Sequence, residues 1–245
     1  MKTVLLGATR GMGRALARKL AERGERLFLL GRDPGQLARS AADLQARGAP
    51  PPVGTAFCDL LQPETFAAAL DQAEEALGGF DTVVVTAAQF ASQDALEDDA
   101  ALCRDLLRAN FASTIELCEE ARRRLLARGG GTLCVFSSVA GDRARKPVVL
   151  YGAAKAGLSH YMQGLDAKFR ARGLRAVLVK PGFVRTGMTA GLKPPPFAGD
   201  PDDVAARVLR AMDRGSPVVY APPIWRLVMA AIRMLPRAAM RRLDF

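Results

Sequence analysis

The sequence has few of the residues that build metal centres or disulfide frameworks. Its 245 residues include one histidine, His160, and four cysteines, Cys58, Cys103, Cys118 and Cys134. The cysteines have no metal-ligand spacing and lie within apolar segments. This pattern predicts free, buried thiols in a reducing compartment, with no metal site and no disulfide-stapled fold.

Long hydrophobic runs are also absent. The apolar run at the amino terminus is too short for a signal peptide, and no run reaches the ~18 residues of a membrane-spanning helix. Hydrophobic residues still make up 49% of the chain, which is enough for a substantial core. Because no Ser/Gly-rich or charge-rich linker divides the chain, we expect one globular domain in the cytoplasm.

Acidic residues are the minority among the charges. There are 25 acidic side chains against 35 basic ones, a formal net charge of +10. The arginines are spread through most predicted helices, and no nucleic-acid-binding motif accompanies them. We therefore interpret the excess charge as solvated helix faces and expect no nucleic-acid partner.

Short apolar segments alternate with helical patterns along the chain. The predicted strands are 3–6, 26–30, 53–58, 82–86, 132–136, 176–180 and 218–220. The predicted helices are 11–23, 35–47, 64–77, 100–127, 151–172 and 201–214. Such alternation is typical of an α/β fold in which helices cover both faces of a parallel sheet.

Glycines cluster where the first predicted strand meets the first predicted helix. The segment from Gly7 to Gly13 reads Gly-Ala-Thr-Arg-Gly-Met-Gly. Glycine there lets the backbone turn sharply and approach a ligand, and the following helix N-terminus favours a pyrophosphate. A strand-to-helix turn also needs glycine for its own geometry, so the cluster alone leaves a purely structural role open.

Tyr151 and Lys155 are four residues apart on a predicted helix and therefore share a face. An ammonium beside a phenol favours the ionised phenol, so this spacing predicts that the pKa of Tyr151 is lowered toward neutral pH. A Ser137-Ser138 pair ends the fifth predicted strand, thirteen residues before the tyrosine. Alone, such a pair is typical of a loop or a cap.

Ser138, Tyr151 and Lys155 together resemble the Ser and Tyr-x-x-x-Lys set of the short-chain dehydrogenase/reductase family. The resemblance implies a Rossmann-type doubly wound sheet of about seven strands. It implies an NAD(P)-binding domain over residues 1–220, with 221–245 as an apolar and basic extension of that domain. The implied activity is hydride transfer between NADP(H) and a carbonyl or secondary alcohol, in a homo-oligomer.

The same resemblance implies roles for four side chains. Tyr151 would exchange a proton with the reacting oxygen, and Ser138 would hydrogen-bond that oxygen. Lys155 would lower the phenol pKa and hold the nicotinamide ribose. Asn110, in a helix that the family distorts locally, would hold a water molecule beside the lysine.

Further residues at the strand ends would contact the cofactor. The resemblance places Gly7, Thr9, Arg10, Gly11, Met12, Gly13, Arg32, Asp59, Leu60, Ala87, Ala88, Tyr151, Lys155, Pro181, Gly182, Val184 and Thr186 there. The Asp59-Leu60 pair has an alternative interpretation as a helix cap before Pro63.

The residues after the second strand favour NADP over NAD. Arg32 stands where an acid would bind the ribose 2′-hydroxyl, and arginine suits a 2′-phosphate. Arg10 adds a second cation in the family's geometry. Asp33 keeps NAD open as the less favoured alternative, although before Pro34-Gly35 it is typical of a turn.

Two positions depart from the family pattern. Leu6 replaces the threonine before the first glycine, which predicts the loss of a structural hydrogen bond. Ala87-Ala88-Gln89 follows the fourth strand where the family has Asn-Asn/Ala-Gly. This second departure predicts the loss of an asparagine that ties neighbouring strands together.

The substrate side has a stiff, apolar segment from Met188 to Gly199, where the family has a lid. The tail after Tyr220 predicts a basic, apolar helix that Pro236 breaks. It could lie in a membrane interface, or pack across the cleft or a subunit interface.

The C-terminal half resembles most closely the reductase subunit of the decaprenylphosphoryl ribose epimerase. This implies a lipid-linked or long-chain carbonyl substrate, with peripheral contact at the inner membrane face. The alternative from a different class is a nonenzymatic NADP-binding or membrane-associated interaction protein.

Overall fold

The computed structural model describes residues 1–243 and contains one seven-stranded parallel sheet. The strands are β1 (Lys2–Leu6), β2 (Arg26–Gly31), β3 (Gly54–Phe57), β4 (Thr82–Val85), β5 (Gly131–Phe136), β6 (Leu174–Pro181) and β7 (Val218–Ala221). Their order across the sheet is β3-β2-β1-β4-β5-β6-β7. The predicted doubly wound, Rossmann-type α/β fold is confirmed.

Ten α-helices occur in the described chain. They are α1 (Gly11–Glu22), α2 (Pro34–Ala46), α3 (Phe66–Leu77), α4 (Gln93–Asp98), α5 (Ala100–Leu107), α6 (Ser113–Ala127), α7 (Val149–Phe169), α8 (Pro201–Arg214), α9 (Ile224–Met234) and α10 (Arg237–Arg242). The single helix predicted over 100–127 is divided into α5 and α6 by a π-helical turn at Arg108–Ala112. The sequence patterns did not predict α4, which is short and begins at the cap residue Ser92.

Two hydrophobic layers lie on opposite faces of the sheet. One layer joins the sheet to α3, α6 and α7, and the other joins it to α1, α2 and α8. Along β1, Val4 and Leu6 belong to the first layer and Leu5 to the second. Strand residues are thus buried on both faces, which explains why the strands are apolar throughout rather than alternating.

The sheet topology determines where a ligand can bind. The chain leaves β1 for β2 on one side, and the other neighbour of β1 is β4. All strands are parallel, so the loops that follow them meet at one edge of the sheet. In such sheets ligands bind in the crevice beside this reversal of strand order.

The C-terminal tail packs on the domain through α9. Trp225 and Met229 are buried against Val139. The Trp225 Nε1–H donates to the Phe197 carbonyl over 3.2 Å. A Cβ at Gly182 would lie 2.1 Å from Trp225 Nε1, so only glycine permits this approach. This packing places α9 against Val139 and the segment that carries Phe197; whether the tail also contacts a membrane or a second subunit stays a prediction.

The opposite face of α9 is open. Leu227 and Met234 are 68% and 84% exposed. In the described part of the chain, no helix combines the length and the apolar character that crossing a bilayer requires. Contact of this open face with a membrane surface stays a prediction.

Candidate active site

The predicted site residues all lie at the carboxyl edge of the sheet. The segment 7–13 follows β1, Arg32 follows β2, and Asp59 and Leu60 follow β3. Ala87 and Ala88 follow β4, Ser138 follows β5, and Gly182, Val184 and Thr186 follow Pro181, the last residue of β6. Tyr151 and Lys155 lie in the first and second turns of α7, whereas Asn110 lies in the π-helical turn.

The glycine loop is shaped by close approach to the end of β4. Gly7 has a φ of +96°, and a Cβ there would lie 2.6 Å from the Ala87 nitrogen. A Cβ at Gly13 would lie 2.2 Å from the Gly7 carbonyl oxygen. The side chain of Arg10, the residue before α1, does not cap the helix. The loop is therefore compact and leaves the N-terminus of α1 without a side-chain acceptor.

Thr86, the residue after β4, ties this strand to the end of β1 and to the glycine loop. Its hydroxyl lies 3.2 Å from the Leu6 carbonyl oxygen and 3.0 Å from that of Gly7. The predicted loss of a link between neighbouring strands is therefore wrong, because a threonine one residue before Ala87 makes it. A polar residue directly after the valines of β4 was the signal for this role in the sequence.

Asn110 holds the loop after β4. Its Oδ1 accepts from the Gln89 N–H over 2.7 Å, and its Nδ2 donates to the Gln89 carbonyl over 2.7 Å. The side chain is completely buried. The local distortion that the resemblance implied is present as the π-helical turn, and the side chain of Asn110 binds this loop. The water molecule beside the lysine stays a prediction.

Lys155 is a buried cation without an acidic partner in the described chain. Its side chain is 1% exposed, and its Nζ donates to the Phe136 carbonyl over 3.1 Å. Burial lowers the pKa of Lys155 to about 8. One carbonyl satisfies only one of the three donors of an ammonium, so the remaining donors are available to a ligand.

Tyr151 shares a face of α7 with Lys155, whose Nζ is 5.8 Å from the centre of the phenol ring. Burial raises the pKa of Tyr151 to about 12, and a hydrogen bond with Ser138 offsets this only in part. The predicted lowering of the phenol pKa is therefore wrong for the protein without ligands. The sequence showed the spacing of the two residues but not the depth at which the phenol is buried.

The two adjacent serines have different surroundings. Ser137 is buried, and its Oγ lies 2.8 Å from the Lys155 carbonyl oxygen and 2.7 Å from the Ser159 Oγ. Ser138 is only half-buried, and its Oγ accepts from the Ala140 N–H over 3.1 Å. Ser137 fixes α7 against β5, whereas Ser138 faces Tyr151 and can reach a ligand.

Two further residues help to build the site, and sequence reasoning missed both. Phe90 packs edge-to-face on Tyr151, with ring centres 5.3 Å apart and an angle of 84° between the planes. Gln93 Oε1 accepts from the Leu150 N–H over 3.1 Å. Both residues follow β4, so this segment orients the first turn of α7. Neither belongs to a recognisable motif.

The cations predicted to select the cofactor are accessible. Arg10 and Arg32 are both exposed, and neither side chain makes a hydrogen bond or ion pair within residues 1–243. Asp33 caps α2, since its Oδ1 accepts from the Gln36 N–H over 3.0 Å. Its carboxylate therefore has the turn role that the sequence indicated.

Asp59 forms a turn after β3. Its Oδ1 accepts from the Leu61 N–H over 3.0 Å. The alternative interpretation as a helix cap before Pro63 is wrong, because the residue at the N-cap position of the 3-10 turn that begins there is Gln62, not Asp59.

A buried ion pair lies behind the site. Lys180 Nζ donates to Asp142, and the Tyr220 Oη–H donates to the other oxygen of this carboxylate over 2.8 Å. The side chains of Lys180 and Asp142 are 7% and 2% exposed. These residues connect the loop after β5, the end of β6 and the end of β7. The pair joins three segments that border the cleft.

Replacing Thr86 by valine should weaken the glycine loop. The substitution keeps the side-chain shape but removes the hydroxyl between Leu6 and Gly7, so we expect a loss of about 1 kcal/mol in unfolding free energy. We also expect a severalfold loss of NADP affinity, measured by fluorescence titration. Thr86→Ser should retain both properties.

Thr82→Val provides the matched control. Thr82 lies at the other end of β4, and its hydroxyl bonds Asp81. The Thr82→Val substitution should lower the free energy of unfolding without changing NADP affinity. Equal effects of the two valine substitutions on NADP affinity would contradict the assignment of Thr86 to the loop.

Lys155→Met should stabilise the protein in a pH-dependent way. Between the folded pKa of about 8 and the ordinary value of 10.5, the unfolded chain holds the proton and the folded protein does not, so wild-type stability rises with pH there. Below pH 8 the burial cost of the charge is fully present. The gain on substitution should therefore be larger at pH 7 than at pH 10, by about 3 kcal/mol at most.

Denaturant unfolding of both proteins at several pH values measures this difference. Lys193→Met, which removes an exposed charge, controls for the change in net charge. If the gain in unfolding free energy is the same at pH 7 and pH 10, burial does not lower the pKa of Lys155.

Comparison with protein families and curated relatives agrees with this geometry. The family described as short chain dehydrogenase matches residues 2–196. An uncharacterized oxidoreductase of Mycobacterium tuberculosis is 35% identical over 242 residues, covering 98% of this chain and 96% of the relative. An uncharacterized oxidoreductase of Streptomyces coelicolor is 36% identical over 250 residues, covering 98% and 94%.

Comparison with solved structures gives the same fold. A variant of the actinorhodin polyketide ketoreductase, solved with NADPH, superposes with a TM-score of 0.80 at 21% identity, covering 89% of this chain and 94% of that chain. This likeness shows the fold alone. The family match over most of the chain and the two relatives go further: the chain belongs to the short-chain dehydrogenase/reductase family of oxidoreductases.

Proposed function

We propose that this oxidoreductase uses NADP(H) to interconvert a carbonyl group and a secondary alcohol. The observation that carries the proposal is the arrangement of Tyr151, Ser138 and Lys155. The phenol and the serine hydroxyl are hydrogen-bonded to each other, and the buried ammonium lies on the same face of α7. A proton donor, a hydrogen-bond donor and a cation are thus directed at one place.

The residues present fit a dinucleotide. Side chains at Gly7 and Gly13 would collide with backbone atoms, so the loop presents bare backbone at the N-terminus of α1. This terminus has no side-chain cap and can receive a phosphate. Lys155 has donors left for ribose hydroxyls. The bound nicotinamide would supply the hydride or accept it.

Tyr151 acts as the proton donor in the reductive direction. A phenol whose pKa is about 12 is protonated at neutral pH, as an acid that protonates a developing alkoxide must be. The Ser138 hydroxyl donates to the same oxygen and stabilises its negative charge. The Lys155 ammonium favours the phenolate left behind after transfer. Asn110, through the π-helical turn and its hold on Gln89, keeps the neighbouring loop in place.

Exposed apolar side chains beside Tyr151 and on the predicted lid segment support a substrate with apolar surface. Phe90 contacts Tyr151 and is 37% exposed, while Leu192 and Phe197 of the lid segment are 50% and 48% exposed. These side chains support a long-chain or lipid-linked carbonyl. The resemblance to the polyprenyl-phosphate sugar reductase stays a prediction, because the relatives reported above are named only as oxidoreductases.

Tyr151→Phe tests the proposed chemistry. Removing the phenol oxygen should reduce kcat for an accepted ketone at least about 100-fold, because the proton donor is lost. NADPH affinity should change little. The assay follows NADPH oxidation with a panel of ketones. The control is Tyr161→Phe, which removes a phenol that bonds Glu119 further along α7. Full activity in the Tyr151 variant would sink the assignment.

Arg32→Ala tests the cofactor preference. The exposed guanidinium should contribute about tenfold to the affinity for a 2′-phosphate and nothing to NAD, so the ratio of kcat/KM for NADPH to that for NADH should fall. Arg10→Ala should act in the same direction. Arg210→Ala, an exposed arginine of α8, should leave the ratio unchanged. Wild-type protein with equal use of both cofactors would refute the preference.

A further inference from the structure

A cleft lined by cations lies next to the candidate active site. Its volume is about 570 Å³, and it is bounded by residues 141–146, Val149 and the side chains of α10. Arg143, Arg145, Lys146, Arg237 and Arg241 line it. Asp142 is the acidic residue among the described lining residues.

The carboxylate of Asp142 does not neutralise Arg145, Arg237 or Arg241, none of which forms an ion pair within residues 1–243. Both oxygens of Asp142 are used, one by Lys180 and the other by Tyr220, and the carboxylate is buried with them. Asp142 therefore does not balance the positive charge that these three arginines bring to the cleft.

Arg145 is the side chain that most strongly indicates an anion-binding site. Its Nε is inaccessible to solvent and has no hydrogen-bond partner in the described chain. Burial without a counter-charge lowers its pKa. A buried polar group without a partner is costly, and such groups are commonly explained by a ligand or water that completes the site.

The cleft is linked directly to the reacting groups. Its lining segment begins at Gly141, the last residue of the 3-10 turn that Ser138 caps, and ends in the first turn of α7, just before Tyr151. Val149 is two residues from Tyr151, so their Cα atoms are within about 7 Å. Residues two apart on a helix point to different faces, so a substrate must extend around the first turn of α7 to reach both the cleft and the phenol.

The segment 141–146 is also held in place by the C-terminal helices. The Arg143 Nη2–H donates to the Leu235 carbonyl over 2.9 Å, at the junction of α9 and α10. This contact holds the tail against the cationic segment. The cleft is thus built jointly by the loop after β5 and by the C-terminal helices.

We propose that this cleft binds a phosphate group of the carbonyl substrate, with Arg145 as its principal ligand and Arg237 and Arg241 as supporting cations. The inference deepens the proposed function and rests on it for the identity of the substrate. Arginine presents paired N–H donors that match the oxygens of a phosphate, and several arginines around one pocket are typical of phosphate recognition.

Binding of inorganic phosphate is the direct test. Phosphate is titrated calorimetrically into protein saturated with NADP, so that the cofactor's own phosphate sites are filled. Arg145→Met should weaken phosphate binding about tenfold or more, as expected for a charge-assisted pair. Arg210→Met removes the same charge from α8 and should leave binding unchanged. Arg237→Gln, at an exposed position, gives a second variant with an expected smaller loss.

The substrate assignment is tested with dihydroxyacetone phosphate and dihydroxyacetone. We expect wild-type kcat/KM to be at least about tenfold higher for the phosphorylated ketone, and Arg145→Met to remove this preference while it retains reduction of the neutral ketone. If wild-type protein reduces neither these nor any other ketone, the proposed function fails. Phosphate binding that depends on Arg145 would still support the anion site.

Three results would overturn the proposal. One is the absence of phosphate binding to the NADP-saturated wild-type protein. Another is an equal loss of binding in Arg145→Met and Arg210→Met. The third is Arg145-dependent binding to phosphatidylglycerol vesicles without binding of inorganic phosphate, which would make the cleft a membrane-contact surface. Thermal unfolding of each variant verifies that it is folded.

Discussion

The buried ammonium of Lys155 is the constraint on which the rest of the site depends. A charge in the protein interior is costly unless other groups compensate it, and here the described chain supplies only the Phe136 carbonyl. The surrounding backbone is correspondingly well fixed. Ser137 bonds the Lys155 carbonyl, and a Cβ at Gly141 would lie 2.7 Å from the same carbonyl carbon. The loop after β5 and α7 therefore pack as one unit around the lysine.

A second buried lysine, Lys180, has its charge compensated in a different way. Lys180 is paired with Asp142, and Tyr220 occupies the remaining carboxylate oxygen. Removal of one partner from such a pair leaves an uncompensated charge, so these residues depend on one another. Because they join the ends of three strands, the pair fixes the loops that border the cleft. Lys180 is stabilised by its partner, whereas Lys155 retains donors that a ligand can use.

The sequence patterns were sufficient to predict the α/β class and the strands, whereas the doubly wound order of about seven strands came from the family resemblance. Apolar segments buried on both faces identify parallel strands, and the seven predicted segments correspond to β1–β7 with small shifts at their ends. The spacing of Tyr151 and Lys155 likewise predicted their shared face. Both features depend on residues that are close together in the sequence, so hydrophobic periodicity and residue spacing are enough to predict them.

Long-range contacts account for what the sequence could not predict. Thr86 reaches Leu6 across 80 positions of the chain, and its role depends on how β1 and β4 are aligned. The raised pKa of Tyr151 depends on burial beneath Phe90 and the loop after β5, not on its spacing from Lys155. The ion pair of Lys180 and Asp142 joins residues that are 38 positions apart. A short sequence motif cannot predict contacts between residues so far apart in the chain.

Net charge alone was a poor guide to the basic residues, and burial separates them better. Many arginines form surface ion pairs, as Arg18 does with Asp43, and Arg210 is exposed to water that can solvate it. Such residues need no ligand. Arg145 differs because its Nε is buried without a partner, while the nearest carboxylate in its segment is already engaged by Lys180. Lys155 shows the same combination of burial and unused donors. In both places a buried cation remains incompletely bonded beside the cleft, which is the condition that an anionic or hydroxyl-bearing ligand would satisfy.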